Sequence, residues 1–312
     1  MLAKRLVGVM NSIISTSQSA FVKGRNLVDG VMVIIEVVDW VKKSNQEVLI
    51  LKVDFEKAYD SVDWSFLEYM MERVGLCWKW IAWMKVCVFG GSMFVLVNGC
   101  LTVEINIHRG LKQGDPLAPF LFLLLAEGFS GLMRNVVRLN LFEGFRFHRE
   151  GMMLSHLQYA DDTICIGKAS VDNLWTIKAL LTGFEMASRL KVNFFKSCLI
   201  GINVNREFMD MAYNFLNCNE GNLPFKYLGL PVGANSSSSV TWEPLLDYVT
   251  TRLNSWGNKY ISFGGRIVLL NSVINVIPIF YLSFLKMPGN VWRKLVRIQR
   301  EFLWGGLMGG GR

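Results

Sequence analysis

Three aspartates carry the chemistry that this sequence is equipped to do. Asp54 closes an apolar run in "LKVDFEKAYD", and Asp161 and Asp162 stand side by side in "SHLQYADDTICIG", residues 155–167. A carboxylate at the end of a buried strand is costly unless something positive meets it, and adjacent carboxylates repel each other. No nearby run of Lys or Arg neutralises all three. A bound divalent cation does. Two-metal phosphoryl-transfer sites hold ions roughly 3.5–4 Å apart between carboxylates and stabilise both the attacking and the leaving oxygen. Mg²⁺ suits such a site, because it combines a few carboxylates with phosphates and waters. For an isolated pair the competing reading, an exposed Asp-Asp turn, is the stronger one.

Other chemistries are poorly supplied. The six cysteines include no C-x-x-C pair and the three histidines are scattered, so neither a zinc site nor a disulfide framework is expected, and a reduced, intracellular setting is. The N-terminal "MLAKRLVGVMNSIIS" has no clear signal peptide. Apolar residues make up 52% and charged residues 19% of the 312, the composition of a folded chain. The net charge is +8, and from Thr251 onward nine Lys and Arg face one acidic residue, Glu301, which equals the whole excess. That segment includes "RKLVRIQR", where Arg293, Arg297 and Arg300 share a helix face, a footprint that fits a polyanionic partner. Of the apolar runs, "FLFLLLA" is too short to span a membrane, and Ile267 to Met287 is interrupted by Asn271, Asn275 and Pro278. The latter is expected to be a buried helix followed by a proline break, and no membrane partner is expected.

The aspartates must be positioned by the elements around them. Residues 26–43 have helical apolar spacing and end in lysines. "VLILKVDF", residues 48–55, reads as a buried strand. Residues 64–74 read as a helix with Asp63 at its N-cap and Gly75 past its end. Met93 to Val97, Asn98-Gly99 and an alternating return arm to His108 predict a hairpin. Arg109 to Pro119 is a Gly/Pro-punctuated loop, followed by an apolar helix to about Arg138. Residues 152–167 predict a second hairpin with Asp161 and Asp162 at its turn, and residues 171–189 another helix. "GANSSSS", 233–239, reads as a linker, with three helical segments beyond it broken at Gly264-Gly265 and Pro288-Gly289. Helices and strands intermix without regular alternation, which argues for an α+β fold.

Seven stretches together carry a resemblance: "SQSAFVKGR" (17–25), "LKVDFEKAYDSV" (51–62), "RGLKQGDPLAPFLF" (109–122), "HLQYADDT" (156–163), "LKVNFFKS" (190–197), "FKYLGLPVG" (225–233) and "IQREFLWGG" (298–306). In this order and spacing the sequence resembles the reverse transcriptases of non-LTR (LINE-type) retrotransposons, particularly those of plant genomes, over nearly its whole length. The resemblance implies a right-hand polymerase fold: partial fingers over 1–47, a palm with inserted fingers elements over 48–232, the Ser-rich linker at 233–240 and a basic helical thumb over 241–312. It implies an RNA-directed DNA polymerase that uses two Mg²⁺ ions, with Mn²⁺ able to replace them, an RNA template, a DNA primer and deoxynucleoside triphosphates, in the nucleus.

It also implies roles. Asp54 and Asp161 are the principal metal ligands, with Asp162 beside them and the Phe55 carbonyl assisting. Tyr59 is an aromatic gate against the 2′-hydroxyl. Gln113 lies near the nascent base pair, and Gly110 and Gly114 allow close backbone approach. Lys23 and Arg25 meet the triphosphate, Arg25 being preferred. Lys191 or Lys196 protonates the departing pyrophosphate, Lys196 being carried as the candidate. Tyr227, Leu228 and Gly229 form the primer grip. Three departures stand out. Against the family pattern the sequence opens inside the fingers, so earlier fingers strands and an upstream endonuclease are expected to lie outside it, as is a Cys/His-rich region beyond "FLWGG". Gln158-Tyr159 stands where phenylalanine commonly precedes "ADD", and Ala118 replaces a common serine. The rival readings are a catalytically inactive relic that at most binds nucleic acid, and a membrane-associated protein.

Overall fold

The computed structural model describes residues 1–147, 151, 153–257 and 261–305. Met152, at the edge of the expected second hairpin, and residues 258–260 and 306–312 of the expected thumb lie outside the described residues. The chain forms two compact units, Met1–Asn222 and Leu223–Arg312.

In the first unit, α1 (Leu2–Ile13) and α2 (Leu27–Ser44) precede β1 (Val48–Val53). Asn26 and Asp29 cap α2 reciprocally, and Lys42 and Lys43 close it. After β1 come α3 (Trp64–Arg73), capped by Asp63 accepting from the Phe66 N–H (2.9 Å), and α4 (Trp78–Val88). The next segment is an exposed ribbon of four short strands, β2 (Ser92–Met93), β3 (Leu96–Val97), β4 (Cys100–Leu101) and β5 (Ile105–Asn106). The Asn98-Gly99 turn is present, both residues having positive φ, but the ladder is interrupted. Between β3–β4 and β2–β5, Thr102 turns its hydroxyl onto the Val95 N–H (3.0 Å). Then follow α5 (Ala118–Arg138), β6 (Phe145–Arg146), β7 (Met153–Leu154), β8 (His156–Tyr159), β9 (Asp162–Lys168), α6 (Val171–Ser188), β10 (Cys198–Ile202), α7 (Arg206–Leu216) and β11 (Asn219–Glu220).

The sheet runs β11-β10-β1-β9-β8. β1 is central and antiparallel to both neighbours, with Val53 opposite Thr163 on one side and Lys52 opposite Cys198 on the other. Its Val, Leu and Ile side chains are covered on both faces, which is why the run is continuously apolar rather than alternating. The core helix is α5, where Leu121 to Ala126 are all buried. It is long and apolar enough to cross a membrane, yet 56% of its most apolar stretch is buried within the protein. "FLFLLLA" is thus the packing surface of a core helix.

The second unit opens with the hairpin β12 (Phe225–Tyr227) and β13 (Leu230–Val232). It continues through α8 (Glu243–Gly257), α9 (Phe263–Leu269), α10 (Ile277–Leu282) and α11 (Gly289–Leu303), packed around Trp242, Leu253, Ile274, Leu295 and Phe302. Three expectations need correction. The division between units falls before the Ser-rich stretch. That stretch is itself tied down, with Trp242 Nε1 donating to Ser236 O (2.9 Å) and Thr241 Oγ1 to Asn235 O (2.8 Å). Gly264-Gly265 does not break a helix. It lies in the first turn of α9, where Ser262 Oγ accepts the Gly265 N–H (3.2 Å). Finally, the apolar segment around residues 267–287 is not buried. A π-turn at Leu270–Ile274 separates α9 from α10, and only 17% of the most apolar stretch of Phe263–Leu282, which also has the length and composition of a span, is buried.

Candidate active site

The register that places Val53 opposite Thr163 carries Asp54 to the level of Asp162 at one end of the central strands. Asp162 pairs with Tyr159, so Ala160 and Asp161 form a two-residue turn. Of these two only Ala160 has positive φ (54°). Glycine normally takes that first position, and a Cβ there costs about 1 kcal/mol. Asp161 is exposed, while Asp54 and Asp162 are half-buried. Burial pushes the Asp162 carboxyl up, Lys52 pulls it down, and Asp161 and Asp54 add to the rise. A carboxyl held above its unfolded value favours the fold most at low pH and loses that contribution as pH rises through the folded value. At neutral pH the ionised Asp162 therefore burdens the fold, and a cation beside it would relieve it.

The backbone of Asp54 is held by the "LKVNFFKS" motif. Its N–H donates to Ser197 Oγ (3.0 Å), its carbonyl accepts from Asn193 N (2.8 Å), and Ser197 Oγ donates to Asn193 O (2.8 Å). Phe55 bridges to Val192, and its ring meets Phe184 edge-on at 6.2 Å. This brings Lys191 and Lys196 to the Asp54 end of the sheet. Both are exposed, and the geometry does not choose between them. Ser197, only 1% exposed, is a positioning residue that the sequence alone did not single out. Its partner Asp54 is 143 positions away, so no local pattern signalled it.

Tyr59 returns under the same end. Its ring stacks on Phe122 of α5 at 4.8 Å and 17°. Burial and then the nearby Asp161 push its phenol up, which puts the hydroxyl in the field of the aspartate turn. The Gln-Gly loop is anchored beneath it: Leu111 N donates to Tyr59 O (2.8 Å) and Gly110 N to Val62 O (2.8 Å). Gly110 has φ 91°, and a Cβ there would stand 2.9 Å from Asp60 O, so the close approach that needs this glycine is to the protein's own backbone. Gln113 and Gly114 sit exposed beyond that anchor, Gly114 with φ 88° and open space around it.

Arg25 departs from its expected task. Its guanidinium turns inward and donates to the carbonyls of Ile14 (2.8 Å), Gln18 (2.6 Å) and Ser15. Burial lowers its pKa and nearby Glu127 offsets part of that. The arginine ties the end of α1 to the following loop, whereas Lys23 is exposed. Arg25→Met should cost about 2–3 kcal/mol in urea unfolding, the scale for losing hydrogen bonds to a charged group, and Arg25→Lys should not rescue it, lacking the planar fork. An unchanged unfolding midpoint would return Arg25 to the triphosphate.

Tyr227, Leu228 and Gly229 form the β12–β13 turn in the second unit. Tyr227 is buried, and Leu228 (φ 47°) and Gly229 (φ 87°) are both left-handed. Tyr281 Oη donates to Gly229 O (3.4 Å).

Among the described residues no group of three or more His, Cys, Asp and Glu side chains is arranged to hold an ion, so the three aspartates are not a closed cage. The donor set still fits a hard cation. It consists of carboxylate oxygens at one end of β1 and β9, with Asp54 and Asp161 both acting against the charge on Asp162 and Asp161 open to solvent, the donor type that Mg²⁺ takes together with waters and phosphates. A cleft of about 770 Å³ lined by Gln46, Val137 and Lys168 adjoins the opposite end of β1 and β9, away from the aspartates.

Similarities to known proteins agree with this geometry. A 149 kDa uncharacterised protein of transposon TX1 from Xenopus laevis is 27% identical over 304 residues, 96% of this chain and 23% of that protein. The Pol polyprotein of the type-1 retrotransposable element R2 of Popillia japonica is 31% identical over 105 residues, 32% of this chain and 15% of that one. The chain thus spans less than a quarter of the length of these non-LTR retrotransposon relatives. The structure of telomerase from Candida albicans in complex with a fragment of telomeric RNA superposes with a TM-score of 0.51 at 13% identity, over 98% of this chain and 52% of that one, a likeness of fold. Residues 1–232 match the family described as reverse transcriptase (RNA-dependent DNA polymerase), and the chain belongs to that family.

Proposed function

We propose that the chain adds deoxynucleotides to a primer 3′-hydroxyl on an RNA template and releases pyrophosphate, as part of a plant non-LTR element acting in the nucleus. The observation that carries this is the meeting of Asp54 with the Asp161-Asp162 turn at one end of β1 and β9 in a member of this family. The family uses divalent metal ions. Here two Mg²⁺, or Mn²⁺, would be held by Asp54 and Asp161 with Asp162 and the Phe55 carbonyl beside them, and would supply charge stabilisation at the transferring phosphate. The protein's own share is positioning. Tyr59 bounds the sugar, Gln113 and Gly114 line the base pair, Lys23 meets the triphosphate, and Lys196 or Lys191 delivers a proton to the leaving pyrophosphate. Tyr227, Leu228 and Gly229 guide the primer. The test is primer extension on an RNA template with Mg²⁺ and labelled deoxynucleotides. Extension that depends on template and metal supports the reading, and none at any metal concentration overturns it.

The helices after Ser239 are assigned to the thumb. On α11 the buried side chains are Val291, Leu295 and Phe302, so Arg293, Arg297 and Arg300 take a different side. Arg297 is partly occupied by Glu301 (2.8 Å), an exposed pair of little energetic weight. Replacing all three arginines with alanine should weaken binding to any primer–template duplex and reduce the slope of log affinity against log salt by about 2–3, near 0.9 for each phosphate no longer neutralised. An unchanged slope would place these charges away from nucleic acid.

A further inference from the structure

We propose that Gln18 is a positioning residue for the aspartate turn, its buried side-chain amide holding Ala160 in the left-handed conformation that presents Asp161 and Asp162. This rests on the polymerase reading of that turn. Gln18 is 1% exposed and lies 142 residues from Ala160 in the chain, yet its amide grips both sides of that residue. Oε1 accepts the Ala160 N–H (2.9 Å) and Nε2 donates to the Ala160 carbonyl (3.3 Å). The two peptide planes flanking Ala160 are thereby fixed, and the second of them leads directly into Asp161.

The grip is itself braced. Oε1 also accepts the Ala20 N–H (3.0 Å), and the Gln18 carbonyl accepts from Arg25 (2.6 Å). The backbone around Gln18 runs parallel to β8, with Gln158 N donating to Ser17 O (2.8 Å) and Ser19 N to Gln158 O (3.0 Å). Only a side chain with one acceptor and one donor side by side completes this arrangement. Alanine at φ 54° does not hold that conformation by preference, so something outside the turn must impose it, and Gln18 makes both of the hydrogen bonds that would. A glycine in the same place would need no such clamp.

The test compares the full chain with Gln18→Met and with Gln18→Met/Ala160→Gly. Methionine keeps length and burial without the amide, and glycine supplies the backbone conformation without the clamp. Gln18→Met should speed amide exchange in peptides spanning residues 156–163. It should also weaken Mn²⁺ binding, read by electron paramagnetic resonance, by about 10-fold or more, as expected when a group orienting metal ligands is removed. In primer extension kcat should fall with KM for the primer–template unchanged. Adding Ala160→Gly should restore Mn²⁺ affinity by about 5-fold, the equivalent of the relieved backbone strain, even though it restores no hydrogen bond. Unchanged exchange or Mn²⁺ affinity in Gln18→Met, or a double variant no tighter than the single, overturns the proposal. A wild-type chain that neither binds Mn²⁺ nor extends a primer would remove the polymerase reading instead, and the exchange comparison would still decide whether Gln18 fixes the turn.

Discussion

Asp161→Asn should lower primer extension at least about 10³-fold, because a ligand worth roughly 4 kcal/mol of charge stabilisation at the transferring phosphate disappears, while the metal-free fold becomes no less stable. The second half follows from the electrostatics. Asp161 is exposed at a two-residue turn, and its charge is one of the causes that raise the Asp162 carboxyl. Removing that charge relieves Asp162, so the metal-free melting temperature at neutral pH should stay or rise. In the wild-type chain saturating Mg²⁺ should raise it, since ligand at about 100 times its dissociation constant adds roughly 2.7 kcal/mol, and the variant should lose most of this response. The pH dependence has a fixed sign. Asp162 titrates above its unfolded value, so its burden on the fold vanishes as pH falls through that folded value, and metal-induced stabilisation should shrink over the same range. Measured melting curves with and without Mg²⁺ decide it. A variant that loses activity together with its metal-free stability would make Asp161 a structural residue, and retained activity would remove it from the site.

The strand and the turn that carry the three aspartates were legible because their chemistry is local. Val48 to Leu51 form an unbroken apolar run because both faces of the strand are covered, and the charges that follow, Lys52 and Asp54, mark the strand end. Asp63 was readable as a cap from the helix it precedes. What was not legible depends on direction. Arg25 shows a charge in the sequence, but nothing in "FVKGR" says that its guanidinium turns back onto the carbonyls of residues 14, 15 and 18. Gln18 and Ser197 are polar residues whose partners are 142 and 143 positions away, beyond any periodicity. Gly264-Gly265 misled because a glycine pair usually interrupts, whereas Ser262 had already supplied a start. The Ser-rich stretch has a linker's composition, and its carbonyls nevertheless receive Trp242 and Thr241. Local chemistry announces elements. The contacts that hold their ends together are set by tertiary packing.

Tyr59→Val should let ribonucleotides in, cutting discrimination against them by at least about 10-fold, roughly 1.4 kcal/mol of differential transition-state binding. Tyr59 follows the strand-end Asp54 by five residues, and Asp161 lies close enough to its hydroxyl to push the phenol up. A nucleotide whose phosphates sit among the aspartates would bring its sugar to this ring, which stacks on Phe122 at 4.8 Å. That stacking limits how far the ring can yield, because Phe122 belongs to the buried core helix. An aromatic edge fixed from behind excludes a 2′-hydroxyl better than a mobile one. Valine removes the ring and leaves Asp54, Asp161 and Asp162 in place. Some stability will go with the stacked pair, about 1 kcal/mol beyond the area uncovered, so the measurement must be a ratio: kcat/KM for deoxy- against ribonucleotides in the same preparation. A fall in both alike would make Tyr59 a core residue that happens to lie beneath the site. A rise for ribonucleotides with deoxynucleotides nearly unchanged is the result expected of a gate. Tyr59→Phe separates the ring from the hydroxyl, since it keeps the wall and removes only the group that feels Asp161, and it should preserve discrimination.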